Sequence, residues 1–455
     1  MNWLLAHFGV VLVTLLALVT AVVILQQRRA PQSTAAWLLF IILVPYIAIP
    51  LFLALGFRKR GRRFQPIAFR ETVYPRPETA PSGVAALFAT YGIPPATDGN
   101  RVQLLATDHE AYSALMDLCR SAKTQLDVLF YIVARDEVGI AFVNALTDRA
   151  RDGVRVRLLM DRFGNLKPPR VALRALTEAG GEVLYFSPLL QRPDSGHLNL
   201  RNHRKMVIAD GVQVFAGGMN VGTEYMGTTH RADRWTDLAY LLQGPATSTF
   251  ADIFRSNWAV AGGEAALSGP PASQPKAGTA VAQLVPSGPD TAGDPLHDAL
   301  VNAIHTASRR VWITTPYFLP TEFLGKALTT AAKRGVDVRI LLPLKSNQSL
   351  ADFARGAYLR EMQDAGCQVL LFQNGMIHAK TGIIDDLGYV GSANFDVRSM
   401  LLNFETALFL YDVASVAALE AWYLAQERHS TSGLPKAGHL RSVAEGVFRL
   451  GSPML

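Results

Sequence analysis

The sequence predicts an α/β protein: two similar α/β lobes joined by a linker and preceded by a hairpin of two membrane helices. Three observations predict this. Two apolar stretches near the N-terminus are each long enough to cross a bilayer. The remainder runs twice through one order of strand and helix signals. A pattern of His, Lys and Asp recurs at matching places in the two repeats.

From Trp3 to Leu25 the chain is apolar apart from His7, Gly9 and two threonines, and residues 35–57 carry no charge. A membrane helix needs about 20 such residues. The expected helices run over about 3–25 and 35–57, with Trp3 and Trp37 as interfacial aromatics. Pro45 and Pro50 are expected to kink the second helix without excluding it. A cleaved signal peptide is disfavoured. There is no basic n-region, the apolar run is too long, and a second span follows at once.

Of 44 Lys+Arg and 37 Asp+Glu, residues 1–63 hold seven basic and no acidic side chains, which leaves 37 of each for residues 64–455. The positive charge sits on the hairpin: Arg28 and Arg29 in its link, and FRKRGRR at its exit. By the positive-inside rule the exit faces the cytoplasm, and the body of the protein is expected there, against the bilayer. The neutral body argues against a nucleic-acid partner. The two cysteines, Cys119 and Cys367, exclude a disulfide framework and any multi-cysteine metal site.

Residues 1–60 thus read as the transmembrane hairpin and 61–100, rich in Pro, Thr and Gly, as a connector. Residues 101–261 form a first lobe, 262–280 a low-complexity linker, and 281–455 a second lobe. The first lobe runs LDVLFYIV (126–133), RDGVRVRLLMD (151–161), EAGGEVLYF (178–186). The second runs VWITTPYF (311–318), KRGVDVRILLP (333–343), DAGCQVLLF (364–372). Strands alternating with helical stretches indicate α/β units around a mainly parallel sheet.

The chemistry lies in the repeated pattern. His203-Arg-Lys205-x4-Asp210 is followed by Gly217-Gly218-Met219-Asn220, and His378-Ala-Lys380-x4-Asp385 by Gly391-Ser392-Ala393-Asn394. HRKMVIA and HAKTGII alternate like strands, so each His and Lys share a face. Pairing about Gly211–Val212 sets Asn220 opposite His203, and pairing about Asp386 sets Asn394 opposite His378. Gly218 and Ser392 leave room for a ligand near the backbone. An imidazole, an ammonium and an amide suit a phosphodiester. The cation holds non-bridging oxygens, one His attacks phosphorus, and the other serves as general acid and base. A carboxylate on the far ring nitrogen would fix the tautomer. Two copies facing each other supply the second His. Zinc is the rival reading. A Lys beside each His repels a cation, and no third nitrogen or sulfur ligand recurs, so no metal or cofactor is expected.

The residues resemble the phospholipase D superfamily with its two HKD motifs. Bacterial cardiolipin synthases are similar in the flanking words NLRNHRKMVIADG, GGMNVGTEY, RWTDLAYLLQGPA, FRSNW, TPYFLP and GSANFDVRSMLLNFE, and in the N-terminal hairpin. The resemblance covers essentially the whole chain. It implies two phospholipase D-like lobes in pseudo-twofold arrangement with one active site between them. The implied reaction joins two phosphatidylglycerol molecules into cardiolipin and releases glycerol at a bacterial inner membrane. It implies His203, Lys205, Asp210, His378, Lys380 and Asp385 as catalytic residues, with His203 favoured as nucleophile. Asn220, Asn394, Gly218 and Ser392 are implied at the substrate. Asp210 and Asp385 support either their own His or the local hairpin. Glu224 and Glu405 are either structural or orient a His, and His197 is a candidate substrate contact. The competing readings are a phospholipase D-type lipid hydrolase, a membrane-anchored nuclease and a non-catalytic lipid-binding scaffold.

Overall fold

The computed structural model describes residues 2–27, 31–56, 64–70, 82–186, 200–264, 274–435 and 437–450. The basic residues of the hairpin link (Arg28, Arg29) and exit (Arg58 to Arg63) lie outside the described residues, as do His197 and the middle of the expected linker.

The first apolar helix spans Asn2–Leu25, and its stretch His7–Leu25 is long and apolar enough to cross a membrane. The expected second span is instead two helices, Pro31–Leu43 and Pro45–Leu55, divided at Val44. Pro45 stands at the first turn of the new helix, where its missing N–H costs nothing. Its ring disfavours a helical Val44, which adopts φ −141°. Pro50 lies inside the following helix and does not end it. Ile24, Ile41, Ala48, Ile49 and Phe52 pack the three helices together. Trp37 joins them rather than an interface: it is buried and meets Phe52 edge-on at 5.2 Å.

After the hairpin, residues 64–70 run into the body. Phe64 meets Phe404 edge-on at 5.0 Å, Ile67 N donates to Asp290 O, and Arg70 pairs with Asp252. The expected connector also holds a helix, Ser82–Thr90. Its Val84 and Phe88, with Leu87 and Tyr91, pack into the second lobe's core at helical spacing.

The two lobes share one 15-stranded sheet, joined edge to edge by antiparallel pairing of Thr97–Leu105 with Ala280–Ser287. Outward from this seam each lobe repeats one strand order. The first gives Ala239–Gln243, Gln213–Gly217, Met206–Ala209, Gln125–Phe130, Arg155–Asp161 and Glu182–Phe186. The second gives Glu405–Leu410, Leu387–Gly391, Thr381–Ile384, Arg310–Thr314, Asp337–Pro343 and Gln368–Phe372, with Ser430–Ser432 added at its edge. The repeated strand–helix–strand units are parallel, as expected. The sheet as a whole is mixed, because the hairpins that carry the motifs and their neighbours are antiparallel.

Helices Glu137–Arg151 and Glu322–Lys333 cover equivalent faces of the two lobes. Each is amphipathic and begins with a side-chain cap, Asp136 to Gly139 N and Thr321 to Leu324 N. A third apolar cluster is shared by the lobes. It includes Met206, Phe250 and Trp258 from the first and Ile377, Phe404 and Trp422 from the second. The lobes are therefore held together by a core as well as by the sheet.

Candidate active site

Each histidine stands just before the first strand of its hairpin, where the chain crosses to the other lobe. His203 N donates to Phe404 O (2.9 Å) and Phe404 N to Arg201 O (2.9 Å). On the opposite side His378 N donates to Thr236 O (2.7 Å) and Thr236 N to Met376 O (2.8 Å). These paired bonds fix the backbone of each histidine against the partner lobe. Both rings line one cavity of about 380 Å³ between the lobes.

The crossing decides which carboxylate each ring meets. His203 Nδ1 lies 3.1 Å from Glu405 Oε1 and 3.2 Å from the Ser392 carbonyl. His378 Nδ1 lies 2.6 Å from Asp237 Oδ2. Each imidazole is thus oriented by an acid of the other lobe. With Nδ1 facing a carboxylate, Nε2 of His203 is the nitrogen left for chemistry, whereas at His378 Lys380 Nζ lies within 2.6 Å of Nδ1 and 3.0 Å of Nε2. Burial, partly offset by Glu405, holds His203 below the ordinary histidine range. Burial and then the Lys380 charge press His378 to about 3. Both rings are neutral at pH 7. Burial pushes Asp237 and Glu405 up, but the neighbouring cations and histidines outweigh it and hold both acids ionised.

Lys205 and Lys380 are buried beside the histidines. Lys205 Nζ donates to the His203 carbonyl at 2.6 Å, and Lys380 Nζ lies 3.0 Å from His378 Nε2. Burial lowers Lys205 to about 7 and Lys380 to about 8. A bound anion would draw both back to the charged form.

Asn220 and Asn394 line the cavity. Asn220 accepts from Ile132 N and donates to the Tyr225 hydroxyl. The side-chain oxygen of Asn394 is buried with no hydrogen-bond partner among the described residues. The strand registers differ by one from the expected pairing. Met206 faces Ala216 and Thr381 faces Val390, so the turns hold three residues and two, and the extrapolated partners of the histidines become Met219 and Ala393. The reason is the left-handed backbone at Asp210 (φ 52°) and Asp385 (φ 50°), which starts each turn one residue earlier.

Asp210 and Asp385 do not join the cavity, which corrects their grouping with the catalytic residues. They stand at the turn ends of the motif strands. Asp210 accepts from the backbone N–H groups of Lys123, Thr124 and Gln125, and Asp385 from those of Ser308, Arg309 and Arg310. Each pins its hairpin to the start of the adjacent strand. Burial raises these carboxyls, and the bonds outweigh it and hold both below the ordinary aspartate range.

Ser392 and Gly218 do not line the cavity either. The Ser392 hydroxyl donates to Glu405 Oε2 at 2.5 Å. A Cβ on Gly218 would stand 2.3 Å from Asp237 Oδ1, so the glycine makes room for the acid. Glu224 is exposed and does not line the cavity. Asp237 is the residue that sequence reasoning passed over. Its signal is the second half of the duplication: Gly217 pairs with Ala239 and Gly391 with Ala407, which makes Asp237 the counterpart of Glu405. Tyr131, Phe163, Arg201, Tyr225, Trp235, Tyr317, Asp396 and Arg398 are among the other residues of the wall.

A duplicated α/β fold with one interlobe cavity lined by two neutral, acid-oriented histidines beside buried lysines defines a phosphodiester-transfer type of site. Among solved structures the chain is similar to phosphatidylserine synthase of Haemophilus influenzae. The TM-score is 0.60 at 15% identity, covering 78% of this chain and 95% of that one, a likeness of fold. The profile described as cardiolipin synthase, PLD-like domain matches residues 115–258 and 300–426. One described as phospholipase D-nuclease N-terminal matches residues 15–56. Cardiolipin synthase 1 of Bacillus cereus is 32% identical, covering 95% of this chain and 91% of that protein. The major cardiolipin synthase ClsA of Bacillus subtilis is 30% identical, covering 96% and 97%. The chain belongs to the cardiolipin synthase, PLD-like family.

Proposed function

We propose that this chain is a membrane-bound phosphatidyltransferase that joins two phosphatidylglycerol molecules into cardiolipin and releases glycerol. The observation that carries the reading is the pair of histidines on one cavity, each with its Nδ1 held by a carboxylate of the other lobe. One Nε2 attacks phosphorus while the bond to the head-group glycerol breaks, and the second imidazole, protonated at Nε2 when the anionic substrate is bound, gives that proton to the leaving alkoxide and becomes neutral. The head-group hydroxyl of a second lipid then enters. The second imidazole takes its proton, the oxygen attacks phosphorus, and the phosphorus–nitrogen bond breaks. One phosphodiester replaces another, so the exchange is near balance and needs no nucleotide.

In this reading Lys205, Lys380, Asn220 and Asn394 hold the non-bridging oxygens, and charge developing there is met by fixed cations in a dry site. The aromatic wall of Tyr131, Tyr225, Trp235 and Tyr317 favours an alcohol over water at the phosphohistidine. Residues 1–60 anchor the protein, and residues 101–261 and 281–455 each supply half of the site. The basic exit of the hairpin supports a cytoplasmic position for the lobes. Exposed Phe163 lines the cavity, and exposed Leu350 and Phe353 neighbour the lining Ala351 in sequence, where a diacyl substrate would leave the bilayer.

Purified full-length protein in mixed micelles of phosphatidylglycerol and detergent, with chelator present, is expected to form cardiolipin and glycerol in equal amounts. Phosphatidic acid as the main product would overturn the transfer reading in favour of hydrolysis.

A further inference from the structure

The exposed apolar side chains of the two lobes are not scattered. Outside the N-terminal helices, twelve large apolar side chains are exposed among the described residues. Six of them fall within two short stretches: Phe163, Leu166 and Val171 in residues 162–171, and Leu344, Leu350 and Phe353 in residues 344–353. Single exposed apolar residues are ordinary, whereas a cluster marks a surface that something covers. The two stretches are the same part of the duplication. Arg155–Asp161 pairs with the start of Gln125–Phe130 as Asp337–Pro343 pairs with the start of Arg310–Thr314. Directly after these strands, Arg162 N donates to Phe186 O and Leu344 N to Phe372 O, both at 3.0 Å.

Both stretches reach the mouth of the cavity. Phe163 lines it from the first lobe, Asn347 and Gln348 line it from the second, and all three are also exposed to solvent. The N-terminal helices are tied to this same edge of the sheet. Phe64 stacks on Phe186 at 6.5 Å, and Phe186 pairs with Asp161, the residue before the first stretch. Seven residues separate Gly56, at the end of the last N-terminal helix, from Phe64. The chain therefore holds Phe64 within about 28 Å of that helix end. The charge of the stretches agrees with their position. Residues 162–171 include Arg162, Lys167 and Arg170 and no acid. In residues 344–353 Lys345 is exposed, and Asp352 is engaged by Ser346 N and Arg355. Large apolar side chains with cations among them suit an anionic lipid surface, where the first enter the acyl boundary and the second meet head-group phosphates.

Resting on the transfer reading above, we propose that residues 162–171 and 344–353 dock the two lobes onto an anionic bilayer, one stretch from each lobe at the cavity mouth, so that the cavity opens directly onto lipid. The N-terminal helices limit how far the lobes stand from the membrane, and the two stretches decide which edge of the sheet faces it. A diacyl substrate then moves only its head group into the cavity, and its chains stay among neighbouring lipids. The opposite edge of the sheet faces away from the membrane. Val212 lies there, in the turn between Met206–Ala209 and Gln213–Gly217. Val413 lies there too, beyond the far end of Glu405–Leu410, whose first residue is the acid of His203.

Cys119 and Cys367 are buried, so a cysteine introduced at the surface takes an environment-sensitive thiol label selectively. Full-length Leu166→Cys and Leu344→Cys are labelled and reconstituted into phosphatidylglycerol vesicles. Both are expected to show blue-shifted emission that lipids spin-labelled on the acyl chain quench at least twofold. Val212→Cys and Val413→Cys are expected to stay unquenched. Unquenched label at both leucine positions overturns the docking, and blue-shifted but unquenched emission there overturns it in favour of a second copy of the chain on the same rim. In unlabelled enzyme, Leu166→Ser combined with Leu344→Ser is expected to lower cardiolipin formation from vesicles at least fivefold. Turnover of a short-chain, freely dissolved phosphatidylglycerol is expected to be unchanged, and an equal loss on both forms overturns the surface role. Enzyme that docks by the quenching measurement yet makes cardiolipin from neither form would instead overturn the transfer reading and leave the docking in place.

Discussion

The two half-sites began from one pattern and have diverged around their acids. At His203 the acid is Glu405, held by the Ser392 hydroxyl at 2.5 Å and by Asn403 at 3.3 Å. At His378 the acid is Asp237, one methylene shorter, lying against Gly218 and closer to its ring. His203 has a second acceptor in the Ser392 carbonyl, whereas Asp237 is the only carboxylate at the His378 Nδ1 among the described residues. The difference teaches that each histidine is completed by the opposite lobe through different local chemistry. Neither lobe alone holds a complete histidine–acid pair.

Removing either ring is the strongest test of that equivalence. His203→Ala and His378→Ala are each expected to lower cardiolipin formation by about 10³-fold or more. Initial rates with phosphatidylglycerol measure this, and substantial activity in either variant would break the shared-site picture. Next come the acids. Asp237→Asn is expected to cost about 10²-fold or more in kcat, and Glu405→Gln less, because His203 keeps its carbonyl acceptor. Equal losses would remove the asymmetry.

Exchanging the residues beside the acids is milder. Gly218→Ser places a Cβ where Asp237 Oδ1 lies, and about a tenfold loss of kcat is expected. Ser392→Gly removes the hydroxyl that donates to Glu405 and accepts from Thr406 N, bonds worth about 1 kcal/mol each, and a smaller loss of kcat follows. On the alkaline side kcat/KM is expected to decline above about pH 7 to 8 as Lys205 and Lys380 lose their protons.

The smallest effect on turnover is expected at the motif aspartates. Asp210→Ala and Asp385→Ala should each destabilise the fold by about 2 kcal/mol, seen as a lower Tm, with activity per folded molecule largely kept. Both carboxyls titrate below their unfolded value. The stability they give is therefore present above about pH 4 and lost as pH falls through the folded value. Acid unfolding of the variants should be correspondingly less steep.

Much of this was legible in the chain. The strand–helix order, the duplication and the motif spacing depend on local periodicity, and the histidines and lysines follow from them. Asp237 was not, and Glu405 was named only as structural or orienting a histidine, because both acids reach the histidines through the strand registers and the interlobe crossing. The hairpin registers missed by one because a single left-handed φ at Asp210 and Asp385 resets the turn. The division of the expected second span into two helices turns on Pro45 falling at a helix start while Pro50 falls inside one, a distinction that composition does not make.

The stretch from Phe64 to Arg70 does more than tether. Its first ring rests on Phe404, whose carbonyl receives the His203 N–H, and Ile67 bonds to Asp290, which grips Arg204 next to that histidine. That stretch is thus keyed into the wall of the interlobe cavity. Trimming the protein at residue 64 would remove the N-terminal helices and leave that keystone in place. Trimming at residue 82 would pull it out.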